Sequence, residues 1–210
     1  MEQDDNLEPE EMTGQPTRAT GDQSLPIENL VGADPKELLQ YGPSKLYVDS
    51  YNWHLPEKGI IASYTVTEEN VTDHFGIFRG VDQIEAFAQA SIVSCAGFLE
   101  CAKLKCSLTE LRERFLPAFI SLGNVYFHHY LQPGDTFISI AGIKFYKFRQ
   151  MACDGRIYKV PEGLDITRYF QQFTPEKLFS YELDPAFKLV AELFQVTGRA
   201  LKKEIFTQTP

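Results

Sequence analysis

Within "TDHFGIFRGVDQIEAFAQA", residues 72–90, two ionisable side chains interrupt a helical run that is otherwise apolar: His74 just upstream of it, and Glu85 inside it. With successive helical residues turned by about 100°, Val81, Glu85, Ala88, Ile92 and Ala96 share one face, and Gln89 lies one turn beyond Glu85. A carboxylate on such a face must be hydrogen-bonded or protonated, because burying it unpaired is costly. The plain reading is a Glu85 satisfied by Gln89, with His74 as a loop residue. The chemical reading starts from desolvation, which raises a carboxyl pKa and makes it a general acid, while a nearby imidazole serves as base. Gly80, at the helix start, would leave a backbone N–H free to polarise a carbonyl oxygen. Those parts suit proton abstraction beside a thioester carbonyl, with departure of a β-hydroxyl as water.

The pattern of elements around this run indicates how it is held. Asp34 and Pro35 open a short helix that Gly42 should close. "GIIASYTVT" alternates as a half-buried strand after a turn at Glu57-Lys58-Gly59. The apolar helix runs from about Gly80 to about Lys103. "SLTELRERFLPAF" reads as an amphipathic helix with a Ser107–Glu110 capping box. "NVYFHHYL" and "TFISIAGIKFYKF" read as strands joined by Pro133-Gly134-Asp135, the second with a bulge at Ala141-Gly142. "KLVAELFQV" and "ALKKEIF" read as a hairpin turning at Thr197-Gly198-Arg199. Residues 151–187 read as an insertion, expected over or beside the mouth of the site rather than in the core. Residues 1–34, rich in acids, Pro, Gly and Thr, read as a disordered acidic N-terminal arm, with residues 35–210 as a single domain. A helix that is apolar nearly all round must be covered on nearly all sides. A curved antiparallel sheet wrapped around a long central helix does this, which predicts an α+β hot-dog fold.

The net charge of −9 is uneven: residues 1–24 carry seven acids against Arg18, whereas residues 101–160 carry nine Lys and Arg against four acids. The basic and aromatic residues do not reach the density of a nucleic-acid surface, so no nucleic acid is expected. A local basic face that docks an acidic partner stays open beside plain solvated surface, with Lys144, Lys147, Arg149 and Arg156 as its first candidates. No run of apolar residues reads as a membrane span, and the N-terminus carries neither a basic segment nor an apolar one after it, so a cytoplasmic location is expected. Cys95, Cys101, Cys106 and Cys153 read as buried free thiols. His128 and His129 would point to opposite faces of a strand, a poor metal pair, and neither a metal nor a cofactor is expected. His54 beside Trp53 reads as packing.

"DHF" followed by "RGVDQIEAFAQA" resembles the 3-hydroxyacyl-[acyl-carrier-protein] dehydratases. His74 and Phe75 match the start of that family's motif, Gly80 and Val81 its helix entry, and Glu85, Ala86, Ala88 and Gln89 the helix itself. "VTEENVTDHF" and "LGNVYFHHYLQPGDTFISI" are similar to its flanking segments. The sequence departs from the motif after Phe75, where Gly76-Ile77 stand in place of Pro-Gly, and the loop before Gly80 is shorter, with Arg79 in place of Pro. The resemblance implies His74 and Glu85 as catalytic residues, and Gly80, Gln89 and Phe75 as substrate-binding residues. It implies dehydration of 3-hydroxyacyl thioesters to trans-2-enoyl thioesters, in fatty acid or polyketide-type biosynthesis. The substrate would arrive on acyl carrier protein or coenzyme A, at a site shared between the subunits of a homodimer or higher homo-oligomer. A thioesterase of the same fold, with Glu85 activating water, is one alternative. A non-catalytic acyl-binding or assembly protein is another.

Overall fold

The computed structural model describes residues 28–204; most of the acidic arm, residues 1–27, lies outside them. The packed chain begins before residue 35. Leu30 is fully buried and its amide donates to Nδ1 of His54 at 3.0 Å. Helix α1 (Pro35–Leu38) is capped by the Asp34 carboxylate and ends at Leu39, earlier than the Gly42 stop suggested.

Strands β1 (Ser50–Leu55) and β2 (Gly59–Thr65) form the expected hairpin. The apolar run follows as α2 (Gly80–Ala88), a π turn over Gln89–Val93, and α3 (Ser94–Leu104). Ser94 closes the π turn: its hydroxyl donates to the Gln89 carbonyl at 2.7 Å and its backbone amide bonds the same oxygen. The extra residue breaks the even 100° spacing, so the face carrying Glu85 is not continued straight into α3. By length and composition Gly80–Leu104 would pass as a membrane span, contrary to the sequence expectation; 78% of its most apolar window is buried in the protein.

Helix α4 (Leu108–Arg114) begins at the expected box. Ser107 accepts from the Glu110 amide at 3.2 Å, and the Glu110 carboxylate accepts from the Ser107 amide at 2.7 Å. Ser107→Ala should lower stability by about 1 kcal/mol, seen as a lower urea midpoint with an unchanged slope. An unchanged midpoint would mean that α4 needs no cap. The helix stops before "FLPAF", which is strand β3 (Phe115–Ser121) instead. Pro117 fits there because β3 is an edge strand, where a missing amide costs little.

The remaining strands are β4 (Val125–Phe127), β5 (Thr136–Lys147) and β6 (Gln150–Lys159). Helices α5 (Ile166–Phe170) and α6 (Pro175–Ser180) precede the long β7 (Lys188–Lys202). Among the described residues the sheet has seven strands, all paired antiparallel, in the order β1-β2-β5-β6-β7-β3, with β4 also on β7. This sheet around the α2–α3 helix is a hot-dog fold. The β5 irregularity falls between Ile143 and Phe145, just past the expected bulge.

Two expectations are corrected. Residues 151–159 are not part of an excursion but most of β6, a central strand pairing with both β5 and β7. Gly155 belongs there for contact, not for turning: a Cβ would lie 2.5 Å from the Phe87 ring of the central helix. Nor is there a hairpin at Thr197-Gly198-Arg199, since β7 runs through it unbroken. A Cβ on Gly198 would lie 2.3 Å from an Ile92 methyl, so this glycine lets helix and strand approach.

Alternate residues of the sheet serve two cores. Ile60, Ala62, Tyr64, Phe137, Met151 and Ile157 pack towards the central helix with Phe87 and Phe98. Ile61, Ile138, Ile140 and Tyr158 pack on the other face against Phe170, Leu178 and Phe187 of the 160–187 excursion. Trp53 pins that excursion by donating to the Phe173 carbonyl at 3.0 Å. Strand β2 is therefore buried on both faces rather than half-buried. Cys95, Cys101 and Cys153 are buried, Cys106 is half-buried, and all four are free thiols.

Candidate active site

A turn over residues 71–76 carries His74 past the end of β2, with Phe75 and Gly76 both at positive φ (54° and 70°). Beyond it the Phe78 amide donates to the Leu131 carbonyl at 2.9 Å, tying the entry of α2 to the segment after β4. Between these segments lies an open cleft of about 620 Å³, lined among others by His74, Gly80, Gln83, Phe127, His128 and Tyr130. The first-turn amides of α2 have no carbonyl within their own helix to bond and form a positive helix end. Gly80 allows the Phe127 ring to close on that end, since a Cβ would lie 2.8 Å from it. Gln83 is buried; its amide nitrogen donates to the Phe78 carbonyl at 3.4 Å and its Oε1 has no protein partner.

His128, dismissed as a metal ligand from sequence, has a different partner here. Its Nε2 lies 3.0 Å from Oε2 of Glu192, whose Oε1 lies 2.9 Å from Arg156. Arg156 in turn stacks 4.4 Å from the Tyr181 ring. The cleft thus holds an imidazole oriented by an arginine-held carboxylate. No local motif announces this pair, because its members lie 64 residues apart.

The five residues singled out from sequence separate into three places. His74 and Gly80 line the cleft. Phe75 does not line it and is 95% exposed. Glu85 and Gln89 sit together elsewhere, in the contact that their spacing predicts: Gln89 Nε2 donates to Glu85 Oε1 at 3.0 Å. Gln89 is fully buried and also bonds the Lys45 carbonyl and the Tyr47 amide, at 2.7 and 2.8 Å. It therefore clamps the segment before β1 onto the helix. Glu85 is half-buried. Burial, and then the Glu85 carboxylate beside it, push the Tyr41 hydroxyl well above its ordinary pKa. Burial and the Asp82 carboxylate raise Tyr47 to about 12. Burial would raise Asp82 itself, but the Arg79 fork at 2.5 and 2.9 Å holds it below its ordinary value. Arg79, which departs from the family motif, is thus the residue that fixes Asp82 in the first turn.

None of the residues lining the cleft comes from the 160–187 excursion, which covers the far face of the sheet. Of the basic residues considered for docking, Arg156 is held by Glu192, and Lys144 lies 3.5 Å from Asp154. The cleft borders instead on an apolar edge: Val81, Tyr126, Phe127 and Tyr130 are about half exposed or more, and Phe119 and Ile120 continue the row along β3. Among the described residues, no cluster of His, Cys, Asp and Glu could hold a metal ion.

By sequence the chain matches no family model and no curated protein. By structure it is similar to the dehydratase heterocomplex ApeI:P from Xenorhabdus doucetiae, with a TM-score of 0.56 at 12% identity, over 83% of this chain and 95% of that one. It is also similar to a 1,4-dihydroxy-2-naphthoyl-CoA thioesterase from Synechocystis (TM-score 0.42, 12% identity, 69% and 82% of the two chains). A third similar structure is a hypothetical thioesterase with coenzyme A from Streptococcus pneumoniae (TM-score 0.38, 7% identity, 71% and 80%).

Proposed function

We propose that the cleft at the start of α2 is an acyl-thioester site and that the reaction is dehydration of a 3-hydroxyacyl thioester. The observation that carries this reading is the placement of His74 beside the amino-terminal end of α2 in one open cleft. The thioester carbonyl oxygen lies on the helix end, where oriented amides stabilise the charge that develops as the α-proton leaves. His74 takes that proton. The departing β-hydroxyl needs an acid, and Glu85 of the same chain does not line this cleft. A second copy laid along the apolar edge of β3 and β4 supplies it, with His74 from one subunit and Glu85 from the other. The half-exposed aromatic row beside the cleft supports such a covering.

A second reading has its own observation. His128, oriented by Glu192, faces the same cleft and could activate water on the thioester carbonyl without any partner subunit. That would make the protein a thioesterase. One experiment separates the two. The purified protein is given crotonyl and 3-hydroxybutyryl thioesters of coenzyme A and of a carrier protein; enoyl absorbance and free thiol are followed together. Interconversion without thiol release is the expected result. Thiol release without interconversion would replace dehydration by hydrolysis. Neither would leave a non-catalytic acyl-binding protein.

A further inference from the structure

Helix α3 ends in a turn that brings two thiols together. Lys105 takes the left-handed conformation at φ 52° and ψ 44°, and its amide bonds back to the Cys101 carbonyl. The Cys106 amide bonds the same oxygen at 3.2 Å. A chain reversed in this way sets the side chain after the left-handed residue against the last turn of the helix. Here those two positions are Cys106 and Cys101. Standard bond lengths added to the 3.2 Å contact hold the two Cα atoms no more than about 7 Å apart, and the bend at each atom brings them closer. A disulfide spans about 4.4–6.8 Å between Cα atoms. Both side chains also join one small cluster, with Leu108, Leu111 and Phe115.

The two sulfurs differ in access. Cys101 is 2% exposed, whereas Cys106 is half-buried. Burial, and then the Cys106 sulfur beside it, hold the Cys101 thiol above its ordinary pKa. Cys106 is therefore the sulfur that meets a dissolved reagent, and Cys101 is its neighbour on the buried side. Reversible oxidation needs this division, because the first oxidised sulfur must be captured before it is oxidised further. The other two cysteines lack it: Cys95 and Cys153 are both fully buried.

We propose that Cys101 and Cys106 form an oxidisable dithiol, a modification site that a hydroperoxide converts to an intrachain disulfide. The Cys106 thiolate attacks one oxygen of hydrogen peroxide and the O–O bond breaks. The other oxygen takes a proton and leaves as water, so Cys106 becomes a sulfenic acid. The Cys101 sulfur, as thiolate, then attacks the Cys106 sulfur. The S–S bond forms, the S–O bond breaks, and that oxygen takes a proton and leaves as a second water. The two thiols lose two electrons in all, and the peroxide gains them. Loss of the Cys106 charge in the first step eases ionisation of Cys101 for the second. The bond closes across the left-handed turn and pins the end of α3 to the entry of α4. The inference stands apart from the chemistry of the His74 cleft, whose lining contains neither residue.

The full chain is treated with hydrogen peroxide, its remaining thiols are capped with iodoacetamide, and the product is digested with trypsin. Lys103 and Lys105 lie between the two cysteines, so a disulfide keeps peptides 80–103 and 106–112 joined until it is reduced. Cys95 shares the first peptide, so fragmentation must place the link on Cys101. In the untreated folded protein, iodoacetamide should label Cys106 ahead of the other three cysteines. Peroxide should remove two hydrogens from the intact mass and join the two peptides, and dithiothreitol should reverse both changes. Cys106→Ser should abolish the link. Cys101→Ser should leave Cys106 as a sulfenic acid that dimedone traps. The proposal is overturned if Cys106 in the folded wild type resists alkylation, if peroxide leaves all four thiols intact, or if it carries Cys106 straight to the sulfinic acid. It is overturned equally if the link forms to Cys95 or between two chains.

Discussion

His74→Ala is expected to lower turnover of a 3-hydroxyacyl thioester by about 10²–10⁴-fold, the usual cost of losing a positioned acid or base. The melting temperature should hold, because His74 is exposed and its backbone, not its ring, makes the turn bonds to Val71 and Ile77. Glu85→Gln should cost a similar factor. Its amide can still face Gln89, so the clamp on the segment before β1 survives. The decisive measurement mixes the two inactive variants. If each site takes His74 from one subunit and Glu85 from the other, every mixed dimer regains one intact site, and about a quarter of wild-type activity returns with random pairing. Activity that stays lost after subunit exchange is verified would sink the shared site. Full activity in Glu85→Gln, with loss in His128→Ala, would move the second ionisable role to the His128–Glu192 pair.

The next largest effect is on stability. His54 stacks edge-on to Phe98 at 5.0 Å and accepts the Leu30 amide on Nδ1, while its Nε2 is buried without a protein partner. Burial lowers its pKa from 6.5 to about 4. The folded state therefore keeps the imidazole neutral over a range in which the unfolded chain binds a proton. Stability is fully present above pH 6.5 and is lost as pH falls towards about 4. At about 1.4 kcal/mol per pH unit, the loss approaches about 3 kcal/mol. Carboxylates such as Asp82, held below the ordinary range, add their own loss at lower pH. Urea midpoints across the upper part of the His54 window test this most cleanly. His54→Asn should flatten the pH dependence there, and an unchanged slope would mean that His54 is not its source.

The sequence by itself determined whatever depends on neighbours along the chain. The apolar run from Gly80, the Ser107–Glu110 box, the hairpin at residues 57–59 and the Gln89–Glu85 contact all follow from local spacing. So does the need to wrap that helix, and with it the hot-dog fold. His74 and Gly80 were legible because the motif places them within a few residues of each other, on one turn and one helix end. Tertiary structure decided the rest. Gly198 and Gly155 carry the local chemistry of turns, yet each sits in a strand because Ile92 and Phe87 of the central helix need the space where a side chain would be. Such a demand comes from residues distant in the chain and leaves no periodic trace. The same cause hid β6 and the length of β7, and placed residues 160–187 over the outer face of the sheet. It also formed the His128–Glu192 pair. Register sets Tyr126 opposite Glu192 and bonds the His128 amide to the Val190 carbonyl, so the imidazole meets a carboxylate only once β4 has docked on β7.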